Sequence, residues 1–188
     1  FGGFDYTFQV ARANSSDPDQ AYNAAAARQG VELQIVPTNW DQRHTVNASL
    51  TYADPQLDAG FGLLASYGSG TPYTPALVSN ITGGVIPPSV VPINSEVRPT
   101  SFSVNLSAYK NLQLGPARLQ VFSRVDNLFD ARNEEGIFGD TGRATYSLEQ
   151  AVEARNFRGP DAVLQQRYTR PDFFSQPRRI VLGLRVNV

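Results

Sequence analysis

Hydrophobic and polar residues alternate with period two in six separate stretches of this chain. That is the spacing of a strand with one apolar and one polar face. In FDYTFQVA, Phe4, Tyr6, Phe8 and Val10 fall on one side, and Asp5, Thr7 and Gln9 on the other. HTVNASLTY sets Val46, Ala48, Leu50 and Tyr52 against Thr45, Asn47, Ser49 and Thr51. GFGLLASYGSG sets Phe61, Leu63, Ala65 and Tyr67 against Gly62, Leu64, Ser66 and Gly68. SFSVNLSAY sets Phe102, Val104, Leu106 and Ala108 against Ser103, Asn105, Ser107 and Tyr109. RLQVFSRVD sets Leu119, Val121, Ser123 and Val125 against Gln120, Phe122, Arg124 and Asp126. RRIVLGLRVNV sets Ile180, Leu182, Leu184, Val186 and Val188 against Arg179, Val181, Gly183, Arg185 and Asn187. None of these apolar-side positions carries a charge.

Two architectures produce such strands. A soluble sandwich turns the apolar face to a core and the polar face to water. A membrane barrel turns the apolar face to lipid and the polar face to a hydrated lumen. The polar sides here carry Ser, Thr, Asn, Gln, Arg and Asp, with neither Lys nor Glu, which suits a lumen wall better than the outside of a soluble domain.

The connections favour the barrel as well. ADPQLDA and KNLQLGP read as short turns built on Pro, Asp and Gly. The other three connections are long, around 13–42, 73–98 and 128–177. Short turns at one end and long loops at the other characterise outer-membrane barrels, whereas a compact soluble domain rarely holds loops of that length. Tyr52, Phe61 and Tyr109 flank the short turns; Trp40, Tyr73, Phe102, Phe173 and Phe174 lie near the long-loop ends. Two aromatic sets at opposite ends fit two membrane interfaces. Within the loops, DPDQAYNAAAARQG has a helical start, an Ala-rich run and a Gly stop. SLEQAVEARNF predicts a short helix capped by Ser147, with Gln150 at the capping-box position.

Composition narrows the chemistry. The 188 residues include no cysteine, which excludes disulfides, thiolate metal sites and cysteine nucleophiles. His44 is the sole histidine, so a multi-histidine metal site is excluded. A net charge of -1 provides no field for nucleic acid. No apolar run is long enough for a membrane-spanning helix, which leaves a barrel open. His44 with Asp41 and Arg43 is read as an interfacial residue at a strand start rather than an acid–base pair, and the chain as a non-enzyme. SSDPDQ and NEEG bring oxygen ligands together without EF-hand spacing, so a loop Ca²⁺ is a minor expectation and no cofactor or other metal is expected. GSG and TGG are turn glycines with no Lys-Ser/Thr after them, and so not phosphate loops.

Four segments in order resemble the TonB-dependent receptor family. NWDQRHTVNASLTY resembles the entry into a late barrel strand, and GFGLLASYGSGTPYTP the strand that follows. LQVFSRVDNLFDARNEEGIFGDTGRATY contains the NLFD of the penultimate strand and its following TG, and FFSQPRRIVLGLRV resembles the last strand. The resemblance implies an all-β fold, with residues 1–188 the C-terminal part of an antiparallel transmembrane β-barrel. They supply about six strands of a 22-stranded barrel, the plug domain and earlier strands lying outside this sequence. It implies residence in a Gram-negative outer membrane, with the C-terminus and short turns periplasmic and the long loops extracellular. It implies active import of a scarce nutrient (iron chelate, vitamin, glycan or peptide) energised by TonB through the plug part. An alternative is a barrel of the same ancestry that serves as a surface scaffold or adhesion partner without transporting; a soluble β-sandwich binding module is a third reading. Family chains usually end in an aromatic residue, and this sequence ends at Val188.

A membrane barrel needs about eight strands to close. Phe4–Arg12 is therefore expected to pair with a strand outside this sequence, and Val181–Val188 with the first strand of the same barrel. The expected partners are the remaining strands and plug, the TonB complex and the lipid bilayer. Lumen-facing or plug-contact candidates are Arg124, Asp126, Arg179, Arg185, Gln120 and Asn105. Lipid-facing candidates are Phe8, Val46, Leu50, Leu63, Val104, Leu106, Leu119, Val121, Ile180, Leu182 and Leu184. The loop aromatics Tyr73, Phe138, Tyr146, Phe157 and Tyr168 are candidates to grip ligand.

Overall fold

A computed structural model describes residues 1–14, 19–26, 35–76 and 91–187. In chain order the elements are β1 (Gly2–Phe8), β2 (Arg12–Ala13), α1 (Gln20–Ala26), β3 (Val36–Pro37), β4 (His44–Asp54), β5 (Ala59–Gly68), β6 (Pro72–Tyr73), β7 (Glu96–Val97), β8 (Ser101–Leu114), β9 (Ala117–Asp126), α2 (Leu148–Asn156), α3 (Asp161–Tyr168) and β10 (Arg179–Asn187). The six long strands form one antiparallel sheet in the order β1-β4-β5-β8-β9-β10, and β2/β3 and β6/β7 form two-residue ladders in the loops. The fold is predominantly β, and the sheet is open. The outer edges of β1 and β10 have no strand partner among the described residues.

Register carries the two faces across the whole sheet. Tyr6 faces Val46, Val46 faces Tyr67, and Tyr67 faces Phe102. Leu50 faces Leu63, Leu63 faces Leu106, Leu106 faces Val125, and Val125 faces Ile180. Residues directly opposite in an antiparallel ladder point to the same side, so the six apolar sides join into one surface. Among the described residues no helix forms a packed layer over either face. The apolar side is therefore bare: Phe4 is 71% exposed, Ile180 60%, Leu182 76% and Leu184 69%. Most of the buried residues, among them Val36, Asp41, Ala144, Leu164 and Tyr168, lie in the loop layer, and Val104 of β8 is buried at the sheet's loop end.

The sheet is staggered rather than square. One side of β8 pairs with β5 over Ser101–Lys110, the other with β9 over Leu106–Leu114. Such an offset is the tilt that a curving sheet requires. Beyond the end of β9 the loop takes over its place. Leu128 N–H donates to the Val104 carbonyl (2.7 Å), and the Asn133 side-chain amide bonds both the N–H and the C=O of Phe102 (2.9 Å each).

Local differences from the expected elements have identifiable causes. KNLQLGP is not a turn throughout. Lys110–Leu114 continues β8, because Leu112 and Leu114 keep the alternation going, and only Gly115 (φ +61°) and Pro116 turn the chain. The first strand runs Gly2–Phe8 rather than Phe4–Arg12. Gln9 and Ala11 are drawn instead to Arg43 and the buried Asp41, and Val10 lies outside the strand. The Ala-rich helix is described only as α1, and the rest of its expected span, with Ser15–Pro18 of SSDPDQ, TGG and Val188, lies outside the described residues. Ser147 caps α2 as expected by accepting from Glu149 N–H (3.1 Å). α3 was not anticipated.

Candidate functional site

Two depressions lie on the polar side of the sheet. One depression of about 330 Å³ is lined by Asp5, Asn47, Ser49, Leu64, Ser66, Ser103 and Asn105. A second, of about 610 Å³, is lined by Thr51, Tyr109, Gln120, Phe122, Arg124, Arg179 and Val181 among others. Both are lined mainly by polar-side residues.

Three of the polar-face candidates meet. Arg179 lies opposite Asp126 in the β9–β10 ladder, and Arg124 is two residues before Asp126 on the same side. Arg124 Nε donates to Asp126 Oδ1 (2.8 Å), and Arg179 Nη2 and Nε donate to Oδ2 (2.9 and 3.1 Å). One carboxylate thus joins two guanidinium groups and leaves a net positive charge on the wall. Gln120 sits opposite Arg185 in the same ladder. Asn105 is apart from them, at the loop end, where its Oδ1 accepts from Asn127 N–H (2.9 Å).

All eleven apolar-side candidates share the outward face. Val104 differs in being buried, at the position whose carbonyl bonds the loop. His44 also lies on this face, at the first residue of β4. Its Nδ1 is 2.9 Å from the Tyr6 hydroxyl, and its ring is flanked by Tyr6 and Phe8. Asp41 is 1% exposed and bonds Ala11 N–H and Arg43 rather than His44.

The short-turn end is braced by charge. Asp54 Oδ1 accepts from Gln56 and Leu57 N–H (2.8 and 3.1 Å), the side-chain turn that an Asp favours. Asp58 bonds the Asn111 amide (2.8 Å) and Arg118 (2.6 Å). These contacts hold the Asp58 carboxyl below its ordinary pKa, the Asn111 bond contributing most. Lys110 donates to the Leu57 carbonyl.

The three long loops emerge at the opposite end and bond to one another. Asn94 Nδ2 donates to the Pro37 carbonyl (2.7 Å), tying the second loop to the first. Ala76 N–H donates to the Gly139 carbonyl (2.8 Å), tying it to the third. The third loop is pinned at its base by NLFD. Asn127 (φ +56°) bonds both backbone groups of Ala131 and the Gln176 carbonyl, and Asp130 Oδ1 accepts from Arg178 N–H (2.7 Å). Glu134 of NEEG spends both carboxylate oxygens on Arg143 and Ala144 N–H. Burial pushes its carboxyl up, but the Arg143 and Ala144 bonds outweigh that and hold it below its usual value. Among the described residues no cluster of three or more His, Asp or Glu is placed to hold a metal.

The five loop aromatics separate into two kinds. Phe138 packs on Tyr168 and Phe173 (ring centroids 6.1 and 5.1 Å), and the Tyr168 hydroxyl donates to Glu153 (2.7 Å). Burial, then that bond, pushes the Tyr168 phenol well up. The Tyr73 hydroxyl fills the space a side chain at Gly142 (φ +67°) would need. These three are structural rings of the loop layer. Tyr146 is exposed, and Phe157 is half-buried against Gly159.

Sequence reasoning missed a loop cavity of about 360 Å³ around Arg132, Gln150, Gln165 and Phe174. No spacing signalled it, because its lining comes from three separate stretches. The polar-face aromatics Tyr109 and Phe122 were visible as exceptions among polar positions, and register now places them side by side. Comparison with protein-family models, curated proteins and solved structures finds no match.

Proposed function

We propose that this chain forms part of the wall of an outer-membrane β-barrel that imports a scarce nutrient with energy relayed by TonB. The observation that carries this reading is the segregation of faces, which register continues across all six long strands with few exceptions. One face of the sheet is a continuous apolar surface with no layer over it among the described residues, and the opposite face is mainly polar and carries the Arg124–Asp126–Arg179 charges. A water-soluble sheet with that much uncovered apolar surface would associate or aggregate; a bilayer supplies the missing layer. The long strands suit the bilayer too. β4, β5, β8, β9 and β10 have 11, 10, 14, 10 and 9 residues, against about 9–11 for a tilted membrane strand.

In this reading the edges of β1 and β10 pair with further strands of a 22-stranded barrel. In hydrocarbon each unpaired backbone group costs several kcal/mol, so an open sheet does not persist there. The Arg124–Asp126–Arg179 cluster faces the lumen and its plug, and the braced loops face outwards. The chain acts by binding and passage, without covalent chemistry. A second reading, a surface scaffold that does not transport, draws on the hydrogen bonding among the loops, which suits a fixed platform.

The test has two parts. The protein should leave the outer-membrane fraction only with detergent and should shift its gel mobility on heating. Uptake of ligand by cells that carry it should stop when the inner-membrane proton gradient is dissipated. Membrane residence with gradient-independent binding and no uptake favours the scaffold; release into buffer without detergent rules out both.

A further inference from the structure

We infer that the loop cavity around Arg132 is a binding site for a small carboxylate-bearing ligand, a deepening of the reading above, which is what sets these loops on the outer surface. The Arg132 guanidinium lies 4.6 Å above the Phe174 ring. That contact seats the guanidinium over the ring, and none of its N–H donors bonds another described residue. Arg132 makes no ion pair among the described residues, and no carboxylate lines the cavity. Its neighbour Arg170 is already engaged, by two bonds to Asp172 (2.9 and 2.6 Å). The cavity therefore holds one cation with no counter-charge of its own.

The remaining lining sets the rest of the ligand's chemistry. Gln150 and Gln165 bring side-chain amides and Thr145 a hydroxyl, none of them hydrogen-bonded among the described residues. An amide offers both donors and an acceptor, which matches hydroxyl or peptide groups beside a carboxylate. A planar fork takes a carboxylate through two parallel bonds. A volume of about 360 Å³ lies at the small end of ligand sites, which run from about 300 Å³, so it holds a monosaccharide acid or the C-terminal residue of a peptide rather than a large chelate. Glu134 and Arg143 support the site from behind, through Ala144, which lines it.

The experiment is a calorimetric titration of the complete, detergent-extracted protein, its assembly verified by the heat-dependent gel shift. The probes are galacturonate, neutral galactose and a dialanine peptide. At least one of the two acids should bind, with galactose weaker by about tenfold or more; the tighter acid identifies the source of the carboxylate. Arg132→Gln should abolish the preference for acid and Arg132→Lys should restore it in part. Arg155→Gln, on α2 outside the cavity, should leave it intact. Galactose binding as tightly as the tighter of the two acids, no binding of either acid, or full binding in assembled Arg132→Gln would overturn the site. A protein that proves soluble without detergent would sink the membrane reading while leaving this titration valid.

Discussion

Gly183 lies directly opposite Phe122 across the β9–β10 ladder, and the Phe122 ring occupies the space where a Gly183 side chain would stand. The relationship repeats two strands away, where the Tyr109 ring covers Gly60. Because Tyr109 also faces Phe122, the polar side carries a row of glycine, two aromatics and glycine across four strands. Each ring shields a backbone that has no side chain of its own, as cross-strand aromatic–glycine pairs do. Gly183→Val should destabilise the assembled protein by about 1–3 kcal/mol, the usual cost of overpacking. The readout is the temperature of the gel-mobility shift. Phe122→Ala should remove most of that cost in the double variant, since the two sites are in contact.

The apolar side gives a sharper contrast. Leu182→Arg puts a charge on the apolar face of β10, and at the bilayer midplane that costs about 2–4 kcal/mol. Asn105→Gln, on the polar face, should change little beyond its bond to Asn127. The assembled yield in the outer membrane should fall for the first and not the second. In a water-soluble sheet Leu182→Arg would instead improve solubility, because Leu182 is already 76% exposed.

Much of the sheet could be read from alternation alone, because apolar and polar side chains alternate along most of each long strand and register joins the like faces. Alternation faded where residues stopped signalling. Gly2 and Gly3 have no side chains to read, so the start of β1 was placed too late. Lys110 stands on the apolar face and made the end of β8 look like a turn, although its ammonium group reaches back to Leu57. In the loops, order comes from contacts distant in sequence. Asn133 completes the β8 edge, and α3 starts at Asp161, after Pro160, with no side-chain cap to announce it. Arg132, Gln150, Gln165 and Phe174 meet only through that packing.

Asn127 anchors the third loop with three side-chain bonds and a left-handed backbone. Asn127→Ala should cost about 2–4 kcal/mol, at about 1 kcal/mol per bond plus the strain of a positive φ. Asn127→Gly should cost less, because glycine accepts that backbone. Limited proteolysis within residues 127–178 should quicken in that order, with the alanine variant fastest.

Acid should loosen the same loop. Glu134 is held below its ordinary pKa in the folded loop, so its contribution to stability is complete above the unfolded value and is lost as pH falls through the folded one. Proteolysis of the loop should therefore accelerate below about pH 4. Glu134→Gln should be cleaved faster at neutral pH and show less acceleration in acid.

The central claim concerns what bathes each face, and because these 188 residues contain no cysteine a label introduced among them meets no native thiol of this segment. Cysteine introduced in turn at Ile180, Val181, Leu182, Gly183, Leu184 and Arg185, spin-labelled in the complete protein in bilayers, reports accessibility to oxygen, which partitions into lipid, and to a water-soluble nickel chelate. The account predicts alternation with period two: oxygen dominates at Ile180→Cys, Leu182→Cys and Leu184→Cys, and the nickel chelate at Val181→Cys and Arg185→Cys. Protection of the first three from both reagents, or their free access to the nickel chelate, would contradict it.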